Sequence, residues 1–165
     1  MRTFNPLSLY ALLCLIFAFT ACEKTTITTD TETRNFDKEK ILELINEVRA
    51  TGCNCGTTVK PAVRAVTWDD LLEEAATKHS EDMAENNFMS HTGSNGSSIS
   101  DRVLAVGHTA SSVAENVARG FTSEEAVFNG WMASTGHCNN IMNGNMTAIG
   151  LGRSGNYWTL VLTKS

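Results

Sequence analysis

The segment GWMASTGHCNNIM, Gly130 to Met142, sets an imidazole and a thiol side by side at His137 and Cys138. Three chemistries use those residue types: a cysteine nucleophile with a histidine base, a metal bound by such ligands, or a disulfide beside a histidine with another task. A proton-transfer dyad between chain neighbours is a poor arrangement, because triad partners come from distant segments. A disulfide would remove the thiolate altogether. The remaining reactive side chains are dispersed over His79, His91 in SHTG, Glu115 in AEN, and the serines Ser90, Ser94 and Ser134. None of these serines lies in the strand–turn–helix context of a Gly-x-Ser-x-Gly elbow. Gly93 and Gly96 supply turns and lack phosphate-loop spacing. Asp101 and Arg102 read as a solvent-side or loop-anchoring pair.

The N-terminus sets the compartment in which the cysteines must be read. Arg2 gives a positive start, and LSLYALLCLIFAFT (7–20) is an apolar run too short to span a bilayer comfortably. Residues 1–21 therefore read as a secretory signal peptide. FAFTAC resembles a bacterial lipobox, which implies cleavage before Cys22 and lipidation of its thiol. Acyl chains hold a protein to a membrane surface with about 0.8 kcal/mol per buried methylene. Residues 22–35 are Thr-rich without a core pattern and read as a tether, leaving 36–165 as one domain. Glu23 is not the usual inner-membrane retention residue, which favours an outer-membrane or cell-surface position. The net charge of −5 and the lack of a Lys/Arg run argue against nucleic acid.

Of five cysteines, Cys14 lies in the signal and Cys22 takes the lipid. Cys53, Cys55 and Cys138 remain, in an oxidising setting. An odd number allows at most one internal bridge. Cys53 and Cys55 are too close in sequence to pair readily. A bridge from Cys138 to either closes a long loop, worth about 4 kcal/mol by chain entropy. Zinc held by all three is the other use of such a cluster.

These side chains need elements to position them. Asp37 caps a helix whose stripe is Ile41, Leu44, Ile45 and Val48, ended by Gly52 and CNCG. A longer helix is expected from Thr67, with Thr67 and Asp70 at capping-box spacing and a stripe of Trp68, Leu71, Leu72, Ala75, His79 and Met83. His79 on that stripe reads as a core histidine bonded to backbone. SHTGSNGSS is a loop, and a short helix follows over 98–105. SSVAENVARG alternates as a strand, which puts Glu115 on a face with Val113 and Val117, so this carboxylate requires a partner. TSEE (122–125) starts a helix carrying Trp131 as a core residue, and a short turn resumes at HCNNIM. MTAIGLGRS and NYWTLVLTKS read as a hairpin turning at SGN. The class is α+β, with a small antiparallel sheet covered by helices.

Taken in order, WDDLLEEAATKHSEDMAENNFMSHTGSNGSS, AENVARGF, WMASTGHCNNIM, TAIGLG and YWTLVL resemble the bacterial branch of the CAP superfamily, the SCP-like domains. The resemblance spans residues 38 to 164 and implies an α-β-α sandwich with a small central antiparallel sheet. It also implies a cleft that in eukaryotic members carries two histidines and two glutamates able to hold a divalent metal. His91 and Glu115 match the first of each. The second glutamate falls on Ser134 and the second histidine near Asn145, so both are missing. His137, in the GH that bacterial members carry, is the candidate replacement. The resemblance further points to Cys55 as the partner of Cys138, leaving Cys53 odd.

His91, Glu115 and His137 would make a zinc site with an open fourth position, able to activate water. Two functions are therefore expected. The first is a membrane-anchored, extracytoplasmic, non-enzymatic binding module whose His/Glu cleft takes a protein, lipid or small-molecule ligand, with or without a divalent metal such as zinc. The second is a metal-dependent, peptidase-like hydrolase. The two missing positions favour the first.

Overall fold

The computed structural model describes residues 35–164, besides Met1. The signal peptide, Cys22 and nearly all of the tether lie outside them. Among the described residues, no helix is long and apolar enough to cross a membrane.

Among the described residues, eleven elements follow in order: α1 (Lys38–Thr51), β1 (Cys53–Cys55), β2 (Thr58–Lys60), β3 (Thr67–Trp68), α2 (Asp70–Glu85), α3 (Ile99–Ala105), β4 (Ser112–Arg119), α4 (Glu124–Ala133), α5 (Thr135–Ile141), β5 (Ala148–Ser154) and β6 (Tyr157–Lys164). The main sheet runs β3-β5-β6-β4. β5–β6 and β6–β4 are antiparallel, and the two-residue β3 joins the edge in parallel. CNCG does more than end α1: β1 and β2 form a small separate hairpin, with Cys53 opposite Lys60.

Helix starts follow local capping chemistry. Asp37 accepts from the Lys40 amide at the head of α1. α2 starts later than its sequence suggests. Thr67 and Trp68 pair with Ala148 and Ile149 as β3, and Asp69 caps the helix by accepting from the Leu71 and Leu72 amides. Sheet pairing thus overrides the Thr67–Asp70 spacing. Ser98 and Asp101 form a reciprocal capping box on α3, and Ser123, not Thr122, caps α4.

Strand alternation divides the core. Ile149, Leu151, Trp158, Leu160 and Leu162 face one layer with Ile41 and Ile45 of α1, Val127 and Trp131 of α4, and Ile141 of α5. Ala148 and Val161 face the opposite layer with Leu72 and Ala76 of α2 and Val103 of α3. The result is helix, sheet, helix. Each fully buried large aliphatic side chain contributes about 1.5–3 kcal/mol. α2 lies close against β5 because Gly150 and Gly152 present no side chain there. A Cβ at either would come within 2.1 Å of an α2 backbone nitrogen, that of Glu73 or of Thr77.

Candidate functional site

β4 is an edge strand, and its alternation sends neighbouring side chains to opposite layers. Glu115 turns toward the α2–α3 layer and Asn116 toward α5. The site forms where those layers meet at the edge.

Glu115 is buried, with a side chain 2% exposed. One oxygen lies 2.6 Å from the Arg102 guanidinium and the other 2.9 Å from His91 Nδ1. The same guanidinium donates to the carbonyls of Ser97, at 2.9 Å, and His91, at 3.1 Å. Arg102 thus provides the partner that a carboxylate on an apolar face requires, and it also holds the loop bearing His91. Arg102 thus has the loop-anchoring role and not the solvent-side one, but it acts through Glu115 and the loop carbonyls, while Asp101 bonds Ser98.

Two α2 residues fix that loop from beneath. His79 is 1% exposed, and its Nε2 donates to the Ser90 carbonyl at 2.8 Å, the core role expected of it. Among the described residues, its Nδ1 has no hydrogen-bond partner. Burial holds the His79 pKa below the usual imidazole value, with Glu115 pulling the other way. Asp82 accepts from the Ser94 amide at 2.8 Å and from the Ser94 hydroxyl. Ser94 is therefore bonded to a carboxylate, and Ser90 Oγ accepts from the Thr92 amide. Neither serine is paired with an imidazole base.

His91 stands at the rim, its side chain 59% exposed. With Nδ1 directed at a carboxylate, its Nε2 is left for a ligand. His137 reaches the same region from α5. Asn116 Nδ2 donates to the His137 carbonyl at 3.1 Å, and Asn140 Nδ2 donates to Asn116 Oδ1 at 2.9 Å and to the Glu115 carbonyl at 3.2 Å. This amide network fastens α5 to β4. Burial lowers the His137 pKa, and the nearby His91 lowers it further. A groove of about 640 Å³ opens beside His137, lined among others by Met89, Phe121, Gly130, Trp131 and Ser134. Trp131 is 1% exposed and belongs to the core as well as to the groove wall.

Arg102, Asn116 and Asn140 are site residues that the sequence reading missed. The requirement for a Glu115 partner was its nearest signal. Nothing in sequence spacing selected Arg102 from the other cations.

As a three-ligand metal centre, His91, Glu115 and His137 do not fit. Both Glu115 oxygens are engaged, and these three residues do not bring their donor atoms all within 4.8 Å of one another. Among the described residues, Cys53, Cys55 and Cys138 do. His91 and His137 lie near enough for His91 to lower the His137 pKa, and Glu115 stands behind His91 as its orienting carboxylate. In the cysteine cluster, Cys55 and Cys138 form a disulfide and Cys53 is free. Burial pushes the Cys53 thiol up, against the opposing pull of Lys60. The cluster thus holds a disulfide and a protonated thiol in place of three thiolates, and Cys138 has no thiolate to offer His137.

A three-layer domain with helices on both faces of a small sheet is the fold that the resemblance to SCP-like domains implies. Residues 42–162 match the cysteine-rich secretory protein family, CAP, and the chain belongs to that family. It is 35% identical over 123 residues to the uncharacterized membrane protein YlbC of Bacillus subtilis, covering 74% of this chain and 33% of that one. It is 32% identical over 140 residues to the uncharacterized protein YkwD of the same organism, covering 83% and 51%. The chain thus spans a third to a half of these relatives. An extracellular SCP-domain protein of Bacillus anthracis superposes with a TM-score of 0.69 at 25% identity, over 77% of this chain and 40% of that one. An outer surface protein of Borrelia burgdorferi does so with 0.65 at 21% identity, over 76% and 90%.

Proposed function

We propose that this protein is a lipid-anchored, extracytoplasmic binding module and not a hydrolase. One observation carries the reading: Arg102 and His91 occupy both oxygens of Glu115. A carboxylate that holds a guanidinium and an imidazole is committed to positioning them, which favours a binding role over that of a general base for water or a third metal ligand. What the cleft offers is His91 Nε2, the His137 imidazole and the groove beside them. A four-coordinate cation such as zinc, held by two imidazoles, would keep two of its coordination sites for a bound partner molecule. The anchor at Cys22 accords with the naming of relatives as extracellular, outer surface and membrane proteins.

Zinc titrated calorimetrically into metal-stripped protein of residues 23–165 is expected to bind at one equivalent, and to be lost in both His91→Ala and His137→Ala. No binding, or binding that survives both substitutions, overturns the imidazole pair. Zinc-dependent cleavage of peptide substrates that disappears in both variants would instead establish the hydrolase. For the anchor, Cys22→Ser is expected to move the protein from the membrane fraction to the soluble one. Retention in the membrane fraction would rule out a lipid on that thiol.

A further inference from the structure

Cys53 and Cys55 are two apart on β1, so both side chains leave the strand on one face. That face meets α5, where Cys138 is fully buried. Cys55 is bonded to Cys138, and Cys53 Sγ lies 3.8 Å from the same Cys138 sulfur. All three sulfurs fall within 4.8 Å of one another. The free thiol is in van der Waals contact with the disulfide but lies to the side of the S–S bond, so exchange requires the Cys53 side chain to rotate into line with it.

We propose that these cysteines form a thiol–disulfide exchange site in which Cys138 is the shared sulfur and Cys53 its second partner. Cys53 gives its proton to solvent, and its thiolate attacks Cys138 Sγ. The Cys53–Cys138 bond forms, the Cys55–Cys138 bond breaks, and Cys55 leaves as a thiolate that is reprotonated through water admitted at the partly exposed Cys53 position. One disulfide and one thiol are present before and after, so no outside oxidant or reductant is needed. The two isomers differ in what they display. Cys55 has no exposure and Cys53 is partly exposed, so exchange moves the free thiol between the surface and the interior. In the resting isomer the surface thiol is open to mixed disulfides with outside disulfide-bearing molecules. In the exchanged isomer it is withdrawn. The cluster shares no residue with the cleft, although Cys138 follows His137 on α5, and peptide mapping reads exchange without reference to zinc.

Folded wild-type protein is incubated without reductant, quenched in acid, unfolded, labelled with N-ethylmaleimide and mapped as non-reduced peptides. The expected result is maleimide on Cys55 as well as Cys53, with a matching Cys53–Cys138 peptide. Cys53→Ser, treated alike, should carry none on Cys55. Maleimide on Cys53 alone in the wild type overturns the proposal. Cys55→Ser, equilibrated with oxidised glutathione, is expected to form a Cys53–Cys138 bond and lose both free thiols. If it folds but yields only glutathione adducts or unreacted thiols, Cys53 is not a competent partner. If it does not fold, the wild-type map still decides.

Discussion

Arg102 shows how one cation organises a polar site inside an apolar layer. Its guanidinium neutralises Glu115 and ties down two loop carbonyls with the same planar fork. Removing it leaves a buried carboxylate with only the His91 imidazole as a partner, and breaking such a buried ion pair costs up to about 3–5 kcal/mol. Arg102→Ala is therefore expected to lower the unfolding free energy by about that amount in urea titrations. Adding Glu115→Gln should restore a large part of it, because the orphaned charge is gone. If the double variant is no more stable than the single one, the loss comes from the loop carbonyls and not from the carboxylate. Sequence reading reached Glu115 from strand alternation and His91 from its motif. It did not reach Arg102, because a guanidinium bridging three segments leaves no periodic trace.

At the scale of elements, the contact of α2 with β5 rests on the absence of side chains. Gly152→Ala would place a Cβ 2.1 Å from the Thr77 backbone nitrogen, and no rotamer change relieves a clash with backbone. The helix must move, and overpacking of this kind costs about 3 kcal/mol or more. Denaturant unfolding of Gly152→Ala should show this loss, while Gly155→Ala at the hairpin turn, with nothing within 4 Å, should lose less by reshaping a loop residue at φ +59. Undiminished stability in Gly152→Ala would mean that α2 can slide. The strands, hairpin and most helices were legible because their periodicities and caps are local. The β1–β2 hairpin and β3 were not. Three-residue and two-residue strands carry too little pattern, and β3 exists only because β5 lies beside it. The same limit hid the amide network of Asn116 and Asn140, which joins residues with no shared period.

For the whole molecule, the histidines set an acid limit on stability. In the unfolded chain each imidazole titrates near ~6.5. In the fold, burial holds His79 and His137 below that value. The folded state then binds fewer protons than the unfolded state on the acid side. The stability from neutral, buried imidazoles is therefore complete above about pH 6.5 and lost as pH falls below it, until each folded pKa is passed. Unfolding free energy measured against pH should slope by at most about 1.4 kcal/mol per pH unit for His79. His79→Gln should flatten that limb, and an unchanged slope would exclude His79 as its source. The disulfide acts at this scale too. Cys55 and Cys138 are 83 residues apart, and the segment between them contains His79, His91, Arg102, Glu115 and His137. The cleft is thus carried on a closed covalent ring. Peeling from either terminus by tension, or trimming by exoproteases, stops at the cross-link with His91, Arg102, Glu115 and His137 still inside, while Asn140 lies beyond it. A single internal nick would open the ring but leave its two arms joined.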